Sequence, residues 1–129
     1  MQKIKLREDV LDFLLCRIES VPHLEALLLF RDNPDVVWVE EEISTRLHVD
    51  NDYASLILLD LARHDFIVAA LEMSDGYRYD RTWDQTQIMS AVSDAYRRNV
   101  GYIAGLIHTK AASDAVRAFA DAFEFKKKE

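Results

Sequence analysis

The run Asp50-Asn51-Asp52-Tyr53-Ala54-Ser55-Leu56-Ile57-Leu58-Leu59-Asp60-Leu61-Ala62-Arg63-His64-Asp65-Phe66 constrains the fold more than any other part of the chain. Its apolar side chains recur at the spacings of an amphipathic helix. Asp50 or Asp52 can accept from the free amides of the first turn. At about 100° per residue, Ala54, Ile57, Leu58 and Leu61 gather on one side, the expected core face. Leu56, Leu59 and Arg63 lie opposite, flanked by Ser55 and Asp60. Leucines on the second face need a cover, because exposed apolar patches mark contact surfaces. Either a C-terminal helix of the same chain covers them or another molecule does.

The neighbouring segments have their own patterns. Leu6, Val10, Phe13, Leu14 and Ile18 predict an amphipathic helix over residues 6–19. Ser20-Val21-Pro22 interrupts it, and proline suits the first turn of a second helix running to about Arg31. Leu24, Leu27, Leu28 and Phe30 are that helix's apolar positions, and Asp32-Asn33-Pro34-Asp35 ends it. Val36-Val37-Trp38-Val39 reads as a short strand. Glu40 to Leu47 predicts a short helix with its acids in the first turn, where the macrodipole favours them, and with Ile43 and Leu47 inward. His48-Val49-Asp50 is a turn. Phe66 to Glu72 and Tyr77-Arg78-Tyr79 predict a hairpin with a tight turn at Ser74-Asp75-Gly76. A long helix follows over Asp84 to His108, then a break at Lys110 to Ser113, then a last helix using Val116, Phe119, Ala120 and Phe123.

Hydrophobic residues make up 50% of the chain, with three Gly and two Pro, which favours a packed domain over disorder or a turn-rich all-β fold. No apolar run approaches the roughly 20 residues of a membrane span, and the start lacks a signal-peptide pattern, so the expected location is cytoplasmic with no membrane contact. A single cysteine, Cys16, excludes a disulfide framework within one chain, and it is expected to be a buried small hydrophobe. His23, His48, His64 and His108 include no pair at helical metal-binding spacing, and no loop is Gly-rich. The expectation is therefore no catalytic residues, no metal and no cofactor.

The formal net charge is −7, and residues 40–66 carry −5 of it, from seven acids against Arg46 and Arg63. Such a segment repels phosphates.

The order helix, strand, short helix, turn, helix, strand, Asp-Gly turn, strand over residues 22–80 resembles the winged helix-turn-helix proteins of bacterial transcription-regulator type. The resemblance is carried by Val39-Glu40-Glu41-Glu42-Ile43-Ser44-Thr45-Arg46-Leu47-His48-Val49-Asp50, by Leu58 and Leu61, and by Asp65-Phe66-Ile67. Asp65 stands where glycine is usual in such regulators; aspartate tolerates left-handed backbone better than most residues. Ser20-Val21-Pro22-His23-Leu24-Glu25-Ala26-Leu27 and Gly76-Tyr77-Arg78-Tyr79 also resemble small bacterial winged-helix proteins of unassigned role. The resemblance implies a mainly α fold with a small β-hairpin: an N-terminal helix over 1–19, a winged-helix domain over 20–82 and a C-terminal helical extension over 83–129. In DNA-binding members the second helix of the motif enters the major groove with polar and cationic side chains outward.

Here that outer face offers Ser55, Leu56, Leu59, Asp60 and Arg63, which suits protein better than DNA. The expected function is a non-enzymatic regulator-type module acting by protein contact or self-association. The rival is a DNA-binding regulator gripping phosphates through the wing, Asp75, Gly76, Arg78 and Arg81, with further cations from a dimer. Gly101 and Gly105, four residues apart on an apolar helix, would permit close helix crossing. With Ile88, Val92, Ala95, Tyr96, Val100, Ile103, Ile107, Phe119 and Phe123, they form the expected homodimer surface.

Overall fold

Two helices set by their apolar spacing come first among the described elements. The computed structural model describes residues 6–72, 75–83 and 86–110. Helix α1, Glu8–Arg17, buries Val10, Phe13 and Leu14. Cys16 is exposed, contrary to expectation. It follows Leu14 by two residues, about 200° round the helix and away from the buried stripe. Ser20 then caps helix α2, Val21–Asp32, its Oγ accepting from the His23 amide at 3.3 Å, with Pro22 in the first turn. Leu24, Leu27 and Phe30 of α2 are fully buried.

Strand β1, Trp38–Val39, runs directly into helix α3, Glu40–Leu47. The Glu42 carboxylate reaches back to accept from the Val39 amide at 3.1 Å, half of a capping box. His48 ends α3 in left-handed backbone at φ 57°. The Asp50 carboxylate accepts from the Tyr53 amide at 2.7 Å and starts helix α4, Asn51–Arg63. The end of α4 is a Schellman motif. The Phe66 amide bonds to Leu61 O and the Asp65 amide to Ala62 O, both at 3.0 Å, with Asp65 at φ 65°. Left-handed backbone costs a side chain roughly 1–2 kcal/mol, and glycine's extra unfolded freedom offsets about half of that. Asp65→Gly should therefore raise stability by about 0.5 kcal/mol, while Asp65→Val should lower it by more than that, as urea unfolding would measure. A loss with glycine would mean that the Asp65 side chain itself stabilises the turn.

Strands β2, Ile67–Ala69, and β3, Gly76–Tyr79, complete an antiparallel sheet in the order β1-β3-β2. Trp38 and Val39 pair with Tyr77 and Gly76, while Ile67 and Ala69 pair with Tyr79 and Tyr77. This register corrects the expected turn. Gly76 is the first residue of β3, without positive φ, and its carbonyl accepts from the Ala70 amide at 2.9 Å. The connection is longer than a two-residue Asp-Gly turn, which would need positive φ at both residues. Pairing with Val39 holds Gly76 extended; Ser74 lies outside the described residues.

The expected long helix is interrupted. Helix α5, Thr86–Arg98, stops at Asn99, and a second helical run occupies residues 100–110. The Asn99 side-chain amide donates to Ala95 O at 3.1 Å, beside its own backbone bond to the same carbonyl. Its carbonyl accepts from the Ile103 amide and opens the next run. Such side-chain competition for helical carbonyls bends helices. Lys110, where the expected break begins, is still helical, while the rest of that break and the last helix lie outside the described residues.

Helix α5 packs on α1, and Met89, Val92, Tyr96, Ile103 and Ile107 join Val10, Leu14, Leu24 and Leu27 in one buried cluster. Arg31 donates to Ser90 Oγ at 3.0 Å, and Lys110 to Ile18 O at 3.4 Å, across the same junction. Burial, followed by the adjacent Glu25 carboxylate, pushes the Tyr96 phenol up to about 12. Several positions expected to pair with a second copy are thus spent on the chain's own core. The described architecture is mainly helical with a small three-stranded sheet, and no described helix is long and apolar enough to cross a membrane.

Candidate functional site

The two faces of α4 separate as the 100° rule predicts. Ala54, Ile57, Leu58 and Leu61 are buried, while Leu56 and Leu59 are 48% and 58% exposed. Helix α5 lies on the α1 side of the molecule, so no described C-terminal segment shields these leucines. Residues 111–129, which the sequence offered as a cover, lie outside the described residues.

Beside this face is an open groove of about 690 Å³ between α4, the start of α3 and the β2–β3 hairpin. Val39, Leu58, Leu59, Ala69 and Tyr77 give it an apolar lining, with Ser55 and Asn51 along the helix. Glu40, Glu41 and Asp75 add acids. The groove exists because strand alternation puts Ala69 and Tyr77 on one sheet face, opposite Val68 and Arg78. Val68 and Leu71 are also exposed, at 49% and 97%.

The cations proposed for phosphate contact are engaged by acids of the same chain. Arg78 binds Glu72, and Arg81 donates to Asp35 at 2.6 Å. The Arg78 hydrogen bond holds the Glu72 carboxyl below its ordinary range. Arg63 binds Asp60. Arg46 lies over the Trp38 ring at 5.3 Å. Such exposed pairs are weak, but each lowers the local positive field.

A second constellation was missed by sequence reasoning. Asp60, expected at the flank of the outer face, is only 7% exposed. Its Oδ2 lies 2.9 Å from His23 Nε2, and His23 is 3% exposed. His23 Nδ1 lies 2.6 Å from Ser20 Oγ, which also accepts from the Tyr53 hydroxyl at 2.7 Å. Glu19 Oε2 stands 3.6 Å from His23 Nε2, and Glu19 Oε1 lies 3.0 Å from His64 Nε2. The network ties the start of α2 to the end of α4. Because Ser20 Oγ already accepts from Tyr53 and the His23 amide, its Oγ–H is directed to His23 Nδ1, and the His23 Nε2–H to Asp60.

Asp60, His23 and Ser20 form a carboxylate–imidazole–hydroxyl chain, but Ser20 is held as the cap of α2 rather than presented as a nucleophile. A sequence signal for the cluster did exist. Glu19 and His23, and again Asp60 and His64, are carboxylate–imidazole pairs four residues apart. A search restricted to paired histidines passes over both.

Gly101 and Gly105 are exposed, and an added Cβ at either meets nothing within 4 Å. They permit no close approach within the described chain; the buried side of that helical run is formed by Ile103 and Ile107.

The chain matches no protein-family model, no curated protein and no solved structure.

Proposed function

We propose that residues 20–82 form a winged helix-turn-helix module of transcription-regulator type that works by protein contact, without catalysis and with weak or no DNA binding. The order α2, β1, α3, α4, β2, β3 and the sheet order β1-β3-β2 support the fold reading. Exposure of Leu56 and Leu59 on the outer face of α4 carries the functional one. In a groove-reading helix those positions would face base edges and phosphates, where polar and cationic side chains are needed. Leucine there contributes most when another apolar surface covers it. The acids of the adjacent groove favour a partner with basic side chains around an apolar anchor.

Self-association has one supporting observation of its own. Val100 and Tyr102 are 49% and 42% exposed beside the two open glycines, so residues 100–105 present a face that a second copy could cover.

The DNA reading and the protein reading separate in one experiment. A shift assay with random duplex at low salt should show no binding at micromolar protein, because residues 40–66 repel phosphate. Leu56→Lys/Leu59→Lys should leave the fold intact and create salt-sensitive duplex binding. Micromolar duplex binding by the unaltered chain, weakening steeply with salt, would sink the protein-contact reading.

A further inference from the structure

The buried cluster between α2 and α4 has the donor set and the supports of a metal site. Its three candidate ligand atoms, Glu19 Oε2, His23 Nε2 and Asp60 Oδ2, all lie within 4.8 Å of one another. Zinc bonds of about 2.0–2.1 Å in a tetrahedron set neighbouring donors about 3.4 Å apart. The observed separations from His23 Nε2, 2.9 Å to Asp60 and 3.6 Å to Glu19, bracket that value. Small side-chain rotations suffice to close the site.

Two further observations point to a ligand. Glu19 Oε2 is a buried oxygen without a hydrogen-bond partner, although the rest of its side chain reaches the surface. Such an atom pays a desolvation cost that a cation would offset. In addition, each candidate ligand has its remaining polar atom held by a different neighbour. His64 holds Glu19 Oε1, Ser20 holds His23 Nδ1, and Arg63 holds Asp60 Oδ1. Metal ligands are commonly oriented by outer partners of this kind, above all the free nitrogen of a ligating histidine.

We propose that Glu19, His23 and Asp60 bind a divalent transition cation, with Zn²⁺ the best fit. Imidazole with carboxylates suits zinc, and the two carboxylates balance its charge. The cation takes the His23 Nε2 lone pair, and the ring proton then sits on Nδ1 and donates to Ser20 Oγ, whose own hydrogen turns to the Tyr53 hydroxyl oxygen, reversing that hydrogen bond. Three protein donors leave the fourth position to water. The site fastens the start of α2 to the end of α4, and it stands independently of what the outer face of α4 docks.

The test uses the full chain without a histidine tag, stripped with chelator. Titration should give one Zn²⁺ per chain with a Kd of about 10 µM or tighter, which raises the melting temperature with added metal. Co²⁺ in its place should give the visible absorption of a low-coordinate nitrogen–oxygen site. Glu19→Gln should weaken Zn²⁺ at least about tenfold, and Tyr53→Phe, which loosens Ser20 beneath the ring, by a similar factor. Glu19 is partly exposed, so its variant should fold, and circular dichroism of the metal-free protein checks that. Absence of binding at about 100 µM Zn²⁺ would overturn the proposal. So would Zn²⁺ binding of unchanged stoichiometry and affinity in a folded Glu19→Gln chain.

Discussion

Asp60→Ala is expected to lower the stability of the metal-free chain by about 3 kcal/mol, a large part of the 5–15 kcal/mol typical of a domain. Asp60 accepts from buried His23 at 2.9 Å and also binds Arg63. Removing its carboxylate leaves the His23 Nε2–H without its partner inside the protein. Breaking one half of a buried polar pair costs far more than replacing both halves with apolar groups. The double variant Asp60→Leu/His23→Phe should therefore recover more than half of the loss. Urea unfolding followed by tryptophan fluorescence measures both. A loss under about 1 kcal/mol for Asp60→Ala would mean that Glu19, already 3.6 Å away, takes over as acceptor.

Phe30→Ala should be of similar size, about 3–5 kcal/mol. Phe30 is fully buried among the residues that join α2 to the rest of the core. Truncation removes its apolar contacts and leaves a cavity that close-packed neighbours fill only in part. The urea midpoint should fall while the slope stays the same. Leu56→Ala makes the contrast. With half its surface in water, it should change stability by no more than about 0.5 kcal/mol. A cost above about 1 kcal/mol at Leu56 would show that this side chain is already covered in the free chain, which would rule out a docking face there.

Local periodicity made much of the fold legible. Ala54, Ile57, Leu58 and Leu61 fall on one side of α4 whatever packs there, and all four are buried. Glu40 to Leu47 was readable because acids at its start and a turn after Leu47 mark both ends. Asp65 could be placed in left-handed backbone because a helix must stop there and a strand must begin. Features that depend on distant partners were not legible. The burial of Asp60 is decided by His23, 37 residues earlier, and a helical wheel holds no information about that. The Asp75-Gly76 turn failed for a related reason: two strands suggest a tight turn, but a third strand paired to Gly76 changes its backbone. Asn99 interrupts α5 through one side-chain hydrogen bond inside an otherwise continuous apolar pattern. The metal-like cluster needed two spacings read together, one from each side of a helix pair.

The shortness of the sheet limits how any partner can attach. Its outer strands are β1, with two residues, and β2, with three. An incoming extended peptide gains affinity mainly by continuing a ladder of main-chain hydrogen bonds. Edges this brief offer very few rungs, which also guards the chain against pairing edge to edge with its own copies. At the proposed contact face, recognition would then rest on side chains, and a rigid helix laid along Leu56 and Leu59 suits this surface better than a strand added to the hairpin.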